Sequence, residues 1–291
     1  MEPGRARLHA GDAEGAIKPL RQSLLQLPQD GEGHNNLGVA LMQTQRQKDA
    51  VMSFARAAVR LPRSPQVFRN LAGAYTYLER KEEALKSWHQ YLRFVPEDGE
   101  ALCVMGGILL DQERFREAAV ALRKGSRLQK QDAVCLHDYA DTLGRLGQAG
   151  EALSLLNRVV RQNPRDAHAF YLRAFYLMEE QGAFAQALTS LDRALTLKPK
   201  SASYHHLHGY LLARMDQQTE SLLAHERAAA LAPTRTEFIE ALALARVRAG
   251  QGKKVRTYLL KMNTKDPKNR EVARALAEIY VQEAQFKKGE K

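Results

Sequence analysis

Cysteine is almost missing from this chain: two in 291 residues, Cys103 and Cys135. They have no CxxC spacing, so we expect two reduced thiols on helices and no disulfide framework. Long apolar runs are missing too, and no stretch has the length to span a bilayer. The first residues, MEPGRARLHAGDAEG, lack the apolar centre of a signal peptide, so a cytoplasmic location is expected. Aromatic residues make up 7% of the chain, with a single tryptophan, which argues against one large central core. The signatures of several enzyme classes are absent: there is no GxSxG, no HExxH and no complete Walker A loop. Gly250-Gln251-Gly252-Lys253 resembles a phosphate loop, but it lacks the upstream glycine and lies between helical segments, so it reads as a turn. The expectation is a protein without catalysis, cofactor or metal.

What the chain does have is repetition. Residues 31–64 read as helix, polar turn, helix and closing Pro62. His34, Leu37, Gly38 and Leu41 share one helical face, and Ala50, Phe54 and Ala57 share another. Pro28, Pro62 and Pro96 stand 34 residues apart, as do Ala16, Ala50, Ala84, Ala118 and Ala152. Leu20, Phe54, Trp88, Leu122 and Leu156 keep the same step. Each residue type has a reason. Small residues (Gly38, Ala72, Gly106, Ala140, Gly209) let two helices approach. Alanine opens the second helix against them, and a large apolar residue one turn later fills the wedge. Proline ends the pair because it lacks an N–H for an interior hydrogen bond.

This 34-residue pattern resembles the tetratricopeptide-repeat family over nearly the whole chain. The resemblance implies an all-α, right-handed superhelical solenoid of helix-turn-helix repeats, with first helices lining a concave groove. We place repeats at 1–30, 31–64, 65–98, 99–132, 133–166, 167–201, 202–235 and 236–269. A capping helix over 270–285 completes one domain, 1–291. The first repeat begins part-way through its first helix, which points to an upstream segment. Pro19 should kink the second helix of that repeat. The extra residue of repeat six is expected in the turn at 179–182.

The resemblance implies binding of a peptide or partner protein in the groove. Inner positions of the first helices supply Asn35, Asn36, Gln43, Arg69, Asn70, Tyr77, Cys103, Gly107, Asp111, His137, Asp138, Asp141 and Arg145. Further along they supply His168, Tyr171, Phe175, Met178, His206, Tyr210, Arg214, Glu240, Leu244 and Arg248. Asn36 and Asn70 have the amide chemistry to pair with a peptide backbone. They resemble the start of the asparagine ladder of the O-linked N-acetylglucosamine transferases, but Val104, Asp138, Leu172 and Leu207 do not continue it. A carboxylate clamp of the Hsp70/Hsp90-receptor type is incomplete: Arg69 is present, but Gly73 and Val104 stand at the next positions. The stronger candidate is an aromatic zone of Tyr171, Phe175, Met178 and Tyr210, flanked by His137, Asp138, Asp141 and His206.

His205, His208 and His225 occupy positions that are apolar elsewhere and are expected to face one another between two helices. Three imidazoles have the chemistry for zinc, but no fourth donor completes the set, so a polar packing network is expected. Net charge is +11, and residues 250–291 carry 11 Lys and Arg against 5 Asp and Glu. The basic end suggests nucleic acid or an acidic surface as an alternative partner. Aromatics and basic residues do not interleave as base stacking requires, so nucleic acid is disfavoured. Another alternative is a substrate-recruiting domain of a larger enzyme or secretion machine. Self-association through exposed repeat ends is a further expectation.

Overall fold

The computed structural model describes residues 3–179, 183–265, 267–268, 270, 272–274, 276–277 and 279–281, and of 252–254 the backbone only. Among the described residues every regular element is a helix. The helices come in consecutive pairs: α1 (Pro3–His9) with α2 (Ala13–Gln26), α3 (Gly31–Gln43) with α4 (Gln47–Arg60), and α5 (Pro65–Tyr77) with α6 (Lys81–Phe94). There follow α7 (Gly99–Asp111) with α8 (Phe115–Leu128), α9 (Ala133–Arg145) with α10 (Ala149–Gln162), and α11 (Ala167–Glu179) with α12 (Phe184–Leu197). The series continues with α13 (Ala202–Arg214) and α14 (Gln218–Leu231), then α15 (Thr236–Arg248) and α16 (Gly252–Lys265).

The wedge inside each pair is visible in the glycines. A Cβ on Gly38 would lie 2.5 Å from the Phe54 ring, and one on Gly106 would lie 2.4 Å from Leu122. Phe54 and Leu122 are in turn almost fully buried. Burying a side chain of that size stabilises the pair by roughly 1.5–3 kcal/mol. Ala16, Ala50, Ala84, Ala118, Ala152 and Ala187 all have zero exposure, because a larger side chain would push the helices apart.

Among the described residues, the turns inside the pairs share a fixed backbone. Gly11, Gln45, Glu79, Glu113, Gly147, Asp216 and Gly250 all have φ between 55° and 83°. Four of the seven are not glycine, so these turns hold a left-handed residue at a local cost of about 1–2 kcal/mol that the surrounding packing offsets. At the other end, Leu27, Leu61 and Val95 leave helical geometry one residue before a proline, whose ring disfavours the helical region there. Helix α2 continues through Pro19. Proline leaves the Gly15 carbonyl without its usual partner, and the Arg7 guanidinium donates to it at 3.4 Å.

The chain forms two compact units, Met1–Thr142 and Leu143–Lys291. In the first, one core cluster is built on Leu20, Leu41 and Phe54, and another on Trp88, Leu109 and Leu122. In the second, Leu191 and Leu211 centre one cluster, and Val247, Leu259 and Ile279 another. Val272, Leu276 and Ile279 belong to the helical residues after α16, and they pack on that last pair. The position expected for the extra residue of repeat six includes 180–182, which lie outside the described residues, as do 282–285 of the capping helix.

The two cysteines correct the sequence reading. Cys103 on α7 and Cys135 on α9 form a disulfide, separated by 32 residues. Stacking places residues about one repeat apart side by side on neighbouring first helices. The same geometry joins Asn35 to Asn70 and Tyr171 to Tyr204. A search for short cysteine spacings does not register a contact made through the repeat.

Candidate functional site

In the first unit, the first helices α3, α5 and α7 bound a groove of about 540 Å³. Val39 and Met42 form one wall, and Glu100 and Val104 the other, with Arg69, Asn70, Gly73 and Tyr77 of α5 between them. Gly73 keeps the groove open: a Cβ there would meet nothing within 4 Å. Tyr77 is 66% exposed, although it is one of the larger apolar surfaces of this face. Trp88 underlies the groove and its indole N–H donates to Thr76 Oγ1 at 3.1 Å.

The polar groups here are pre-arranged. Gln66 Nε2 donates to Asn70 Oδ1 at 2.9 Å, and Asn70 Nδ2 donates to Asn35 Oδ1 at 2.9 Å. The sequence paired Asn70 with its repeat equivalent Asn36; the structure pairs it with Asn35, and Asn36 sits half-buried on α3 outside the groove lining. Arg69 forms an ion pair with Glu100 at 2.7 Å. Its guanidinium is therefore already neutralised, a second obstacle to a carboxylate clamp.

Further along the same unit, Asp138 on α9 lies over Gly107, with Oδ2 3.0 Å from where a Cβ would be. Its pKa is pushed up to about 6, first by burial and then by Asp111, Asp141 and Asp132. A carboxylate in that environment is protonated more readily than an exposed one. His137 and Asp141 are half-buried on the same helix.

The aromatic candidates belong to the second unit. Tyr171 stacks on Tyr204 at 4.8 Å and on His168 at 5.7 Å. Phe175 meets Tyr176 edge-on at 5.2 Å, and Phe175 and Met178 pack against the unit's core. Burial, then Tyr171 and Asp166, push the Tyr204 hydroxyl up to about 12. Most of this zone is thus used in packing; Tyr210 is the member that stays open, at 43% exposure. His206 packs between His225 at 5.4 Å and Phe238 at 5.0 Å.

The other histidines do not converge. His205 Nε2 pairs with the Pro199 carbonyl at 2.8 Å, and His34 makes the same bond to Pro28 at 3.1 Å. A histidine at this register position ties the start of a first helix to the loop before it. His208 reaches Asp192 at 3.2 Å, in the preceding repeat. His225 fills the wedge against Gly209, where a Cβ would lie 2.7 Å from its ring. The expected mutual facing of His205, His208 and His225 is therefore corrected. Among the described residues no group of three or more His, Cys, Asp or Glu side chains is placed to hold a metal ion. No described helix is long and apolar enough to cross a membrane.

Sequence reasoning passed over Gly73 as a site residue, and with it Glu100 and Val104. The signal was available: Gly73 and Gly107 stand at a register position that holds Val39, Asp141, Phe175, Tyr210 and Leu244 in other repeats. Two missing side chains in succession mark an opening.

Three family models match the chain: a tetratricopeptide repeat over residues 3–67, another over 109–176, and the N-terminal TPR repeats region of Psidin over 170–291. No curated protein matches it. Among solved structures, a tetratricopeptide repeat protein from Parabacteroides merdae is 20% identical, with a TM-score of 0.57 over 84% of this chain and 96% of that one. The C-terminal part of a TPR repeat-containing protein from Cytophaga hutchinsonii is 13% identical, with a TM-score of 0.62 over 82% and 98%. YrrB, a TPR protein with an unusual peptide-binding site, is 20% identical, with a TM-score of 0.52 over 66% and 98%. The left-handed turns, the wedge residues and these matches agree: the chain belongs to the tetratricopeptide-repeat family.

Proposed function

We propose that this chain is a non-catalytic scaffold that holds a segment of a partner protein along its first helices, centred on the groove between α3, α5 and α7. The observation that carries the reading is Gly73, which leaves that groove open between Tyr77 and Val104. Apolar side chains of the ligand would be buried against Val39, Met42 and Tyr77, which supply most of the affinity. The Gln66–Asn70–Asn35 amides hold fixed donors and acceptors beside it, and fixed polar groups set register at little entropic cost. The peptide-binding site of YrrB, a protein of the same fold, supports the reading by analogy.

A second reading centres the ligand on the second unit. The exposed Tyr210 favours it, with the stacked Tyr171 nearby in the repeat order. Panning a randomised peptide display library on three immobilised chains separates the two: the native chain, Gly73→Leu, and Tyr171→Ala/Tyr210→Ala. The proposal expects a class of peptides recovered by the native chain to be lost on Gly73→Leu and kept on the tyrosine variant. The reverse pattern moves the site to the second unit. Equal recovery of every peptide on all three chains overturns both readings.

A further inference from the structure

The second helices carry a different surface. Between α2 and α4, over α3, lies a groove of about 560 Å³. Its apolar lining includes Leu25 and Met52, which are 84% and 58% exposed. Helical amphipathicity does not require large apolar side chains on the solvent side of two neighbouring helices, and together they form a patch. Three guanidinium groups, Arg21, Arg56 and Arg60, line the same groove against one carboxylate, Asp49. None of the three forms an ion pair among the described residues, in contrast to Arg46, Arg69, Arg80 and Arg114, which do. His34 lines the groove as well, buried, with no hydrogen-bond partner for Nδ1.

We propose that this groove docks an acidic, amphipathic segment of a partner protein, seating its large apolar side chains against Leu25 and Met52. Aspartate or glutamate side chains flanking those anchors pair with Arg21, Arg56 and Arg60. Charge complementarity selects this occupant. A second copy of the chain in a two-fold arrangement would set the three arginines against their own kind, which disfavours self-docking through this face. Leu25 and Met52 are aliphatic, so the floor offers no stacking platform for bases. The site is separate from the first-helix groove, so two segments can bind at once.

Panning the same display library on further variants tests the proposal. Leu25→Glu/Met52→Glu places charge in the groove, Arg21→Glu/Arg56→Glu reverses its rim, and Gly73→Leu closes the other groove. Leu25 and Met52 are exposed, so the first variant keeps its helices, as circular dichroism would verify. The proposal expects a class of peptides with two or more large apolar residues and net negative charge. Members of that class bind Gly73→Leu as well as the native chain by fluorescence anisotropy, and bind the two groove variants at least tenfold more weakly. Three results overturn it. One is that no peptide class is lost on Leu25→Glu/Met52→Glu, or that the lost class is neutral or basic. Another is a native dimer in sedimentation that this variant disperses, which assigns the face to a second copy. The last is co-sedimentation with phosphatidylserine vesicles that Arg21→Glu/Arg56→Glu abolishes, which assigns it to a membrane. Loss of peptides on Gly73→Leu alone is a case of the first of these results, because no class is then lost on Leu25→Glu/Met52→Glu.

Discussion

His225 should make the repeat of α13 and α14 sensitive to acid. It occupies the register position that Phe54, Trp88, Leu122, Leu156 and Leu191 fill elsewhere, and it is 5% exposed against Gly209. Burial pushes its pKa down to about 4, with further lowering from His206 and Arg248. The folded chain therefore holds His225 neutral, whereas the unfolded chain takes up a proton near the ordinary value of 6.5. Stability is fully present above pH 6.5 and falls as pH drops toward 4. With those two values the loss at pH 5 is about 2 kcal/mol. The perturbation is His225→Leu, which restores the side chain used against the glycine in the α7–α8 pair. Amide hydrogen exchange of peptides from 202–231, corrected for intrinsic rates, measures the local free energy at pH 7.5 and pH 5. The variant should gain about 2 kcal/mol over the native chain between those two pH values. An equal gap at both would refute the assignment of a buried, neutral imidazole.

Other outcomes follow from the packing. Gly73→Ala should stabilise by about 0.5–1 kcal/mol, because its Cβ meets nothing, whereas Gly38→Ala should destabilise by about 1–3 kcal/mol through the Phe54 clash; urea midpoints of the two variants compare them. Asp138→Asn should stabilise the first unit by about 1–2 kcal/mol at pH 7, discounted for partial exposure. That gain should vanish as pH falls from about 6 toward 4, because the native carboxyl then becomes neutral as well; denaturation at several pH values reads it. Cys103 and Cys135 should resist alkylation in denaturant until a reductant is added. Replacing both with alanine should cost about 3–4 kcal/mol in the chain-entropy picture of a loop spanning 32 residues.

The repeat architecture was legible because one register recurs. Ala50, Phe54 and Pro62 have the same neighbours as Ala84, Trp88 and Pro96, so each repeat supports the reading of the next. Two things were harder to see. Contacts between neighbouring repeats depend on offsets of one or two residues from the period: Asn35 rather than Asn36 meets Asn70, and Cys103 meets Cys135. Periodicity alone does not show those offsets. The groove proposed as the binding surface was also hard to see, since the inner register positions drew attention to the side chains present there, Tyr171 and Phe175 among them. The structure spends these rings on Tyr204 and Tyr176, while the open groove is marked by an absent side chain at Gly73. The histidines show a similar limit. His205 and His208 look like facing partners in a string of letters, but one satisfies the Pro199 carbonyl and the other the Asp192 carboxylate.

The central claim is that a partner segment lies in the groove over Gly73. Titration calorimetry of a peptide recovered on both the native chain and Leu25→Glu/Met52→Glu, repeated with Gly73→Leu, tests it most directly. A Cβ there meets nothing within 4 Å, so the leucine variant should fold as the native chain does while its side chain occupies the ligand's place. The account predicts at least a tenfold rise in Kd, about 1.4 kcal/mol or more. Equal affinity for a variant with unchanged circular dichroism would contradict it and remove the first-helix groove as the binding site.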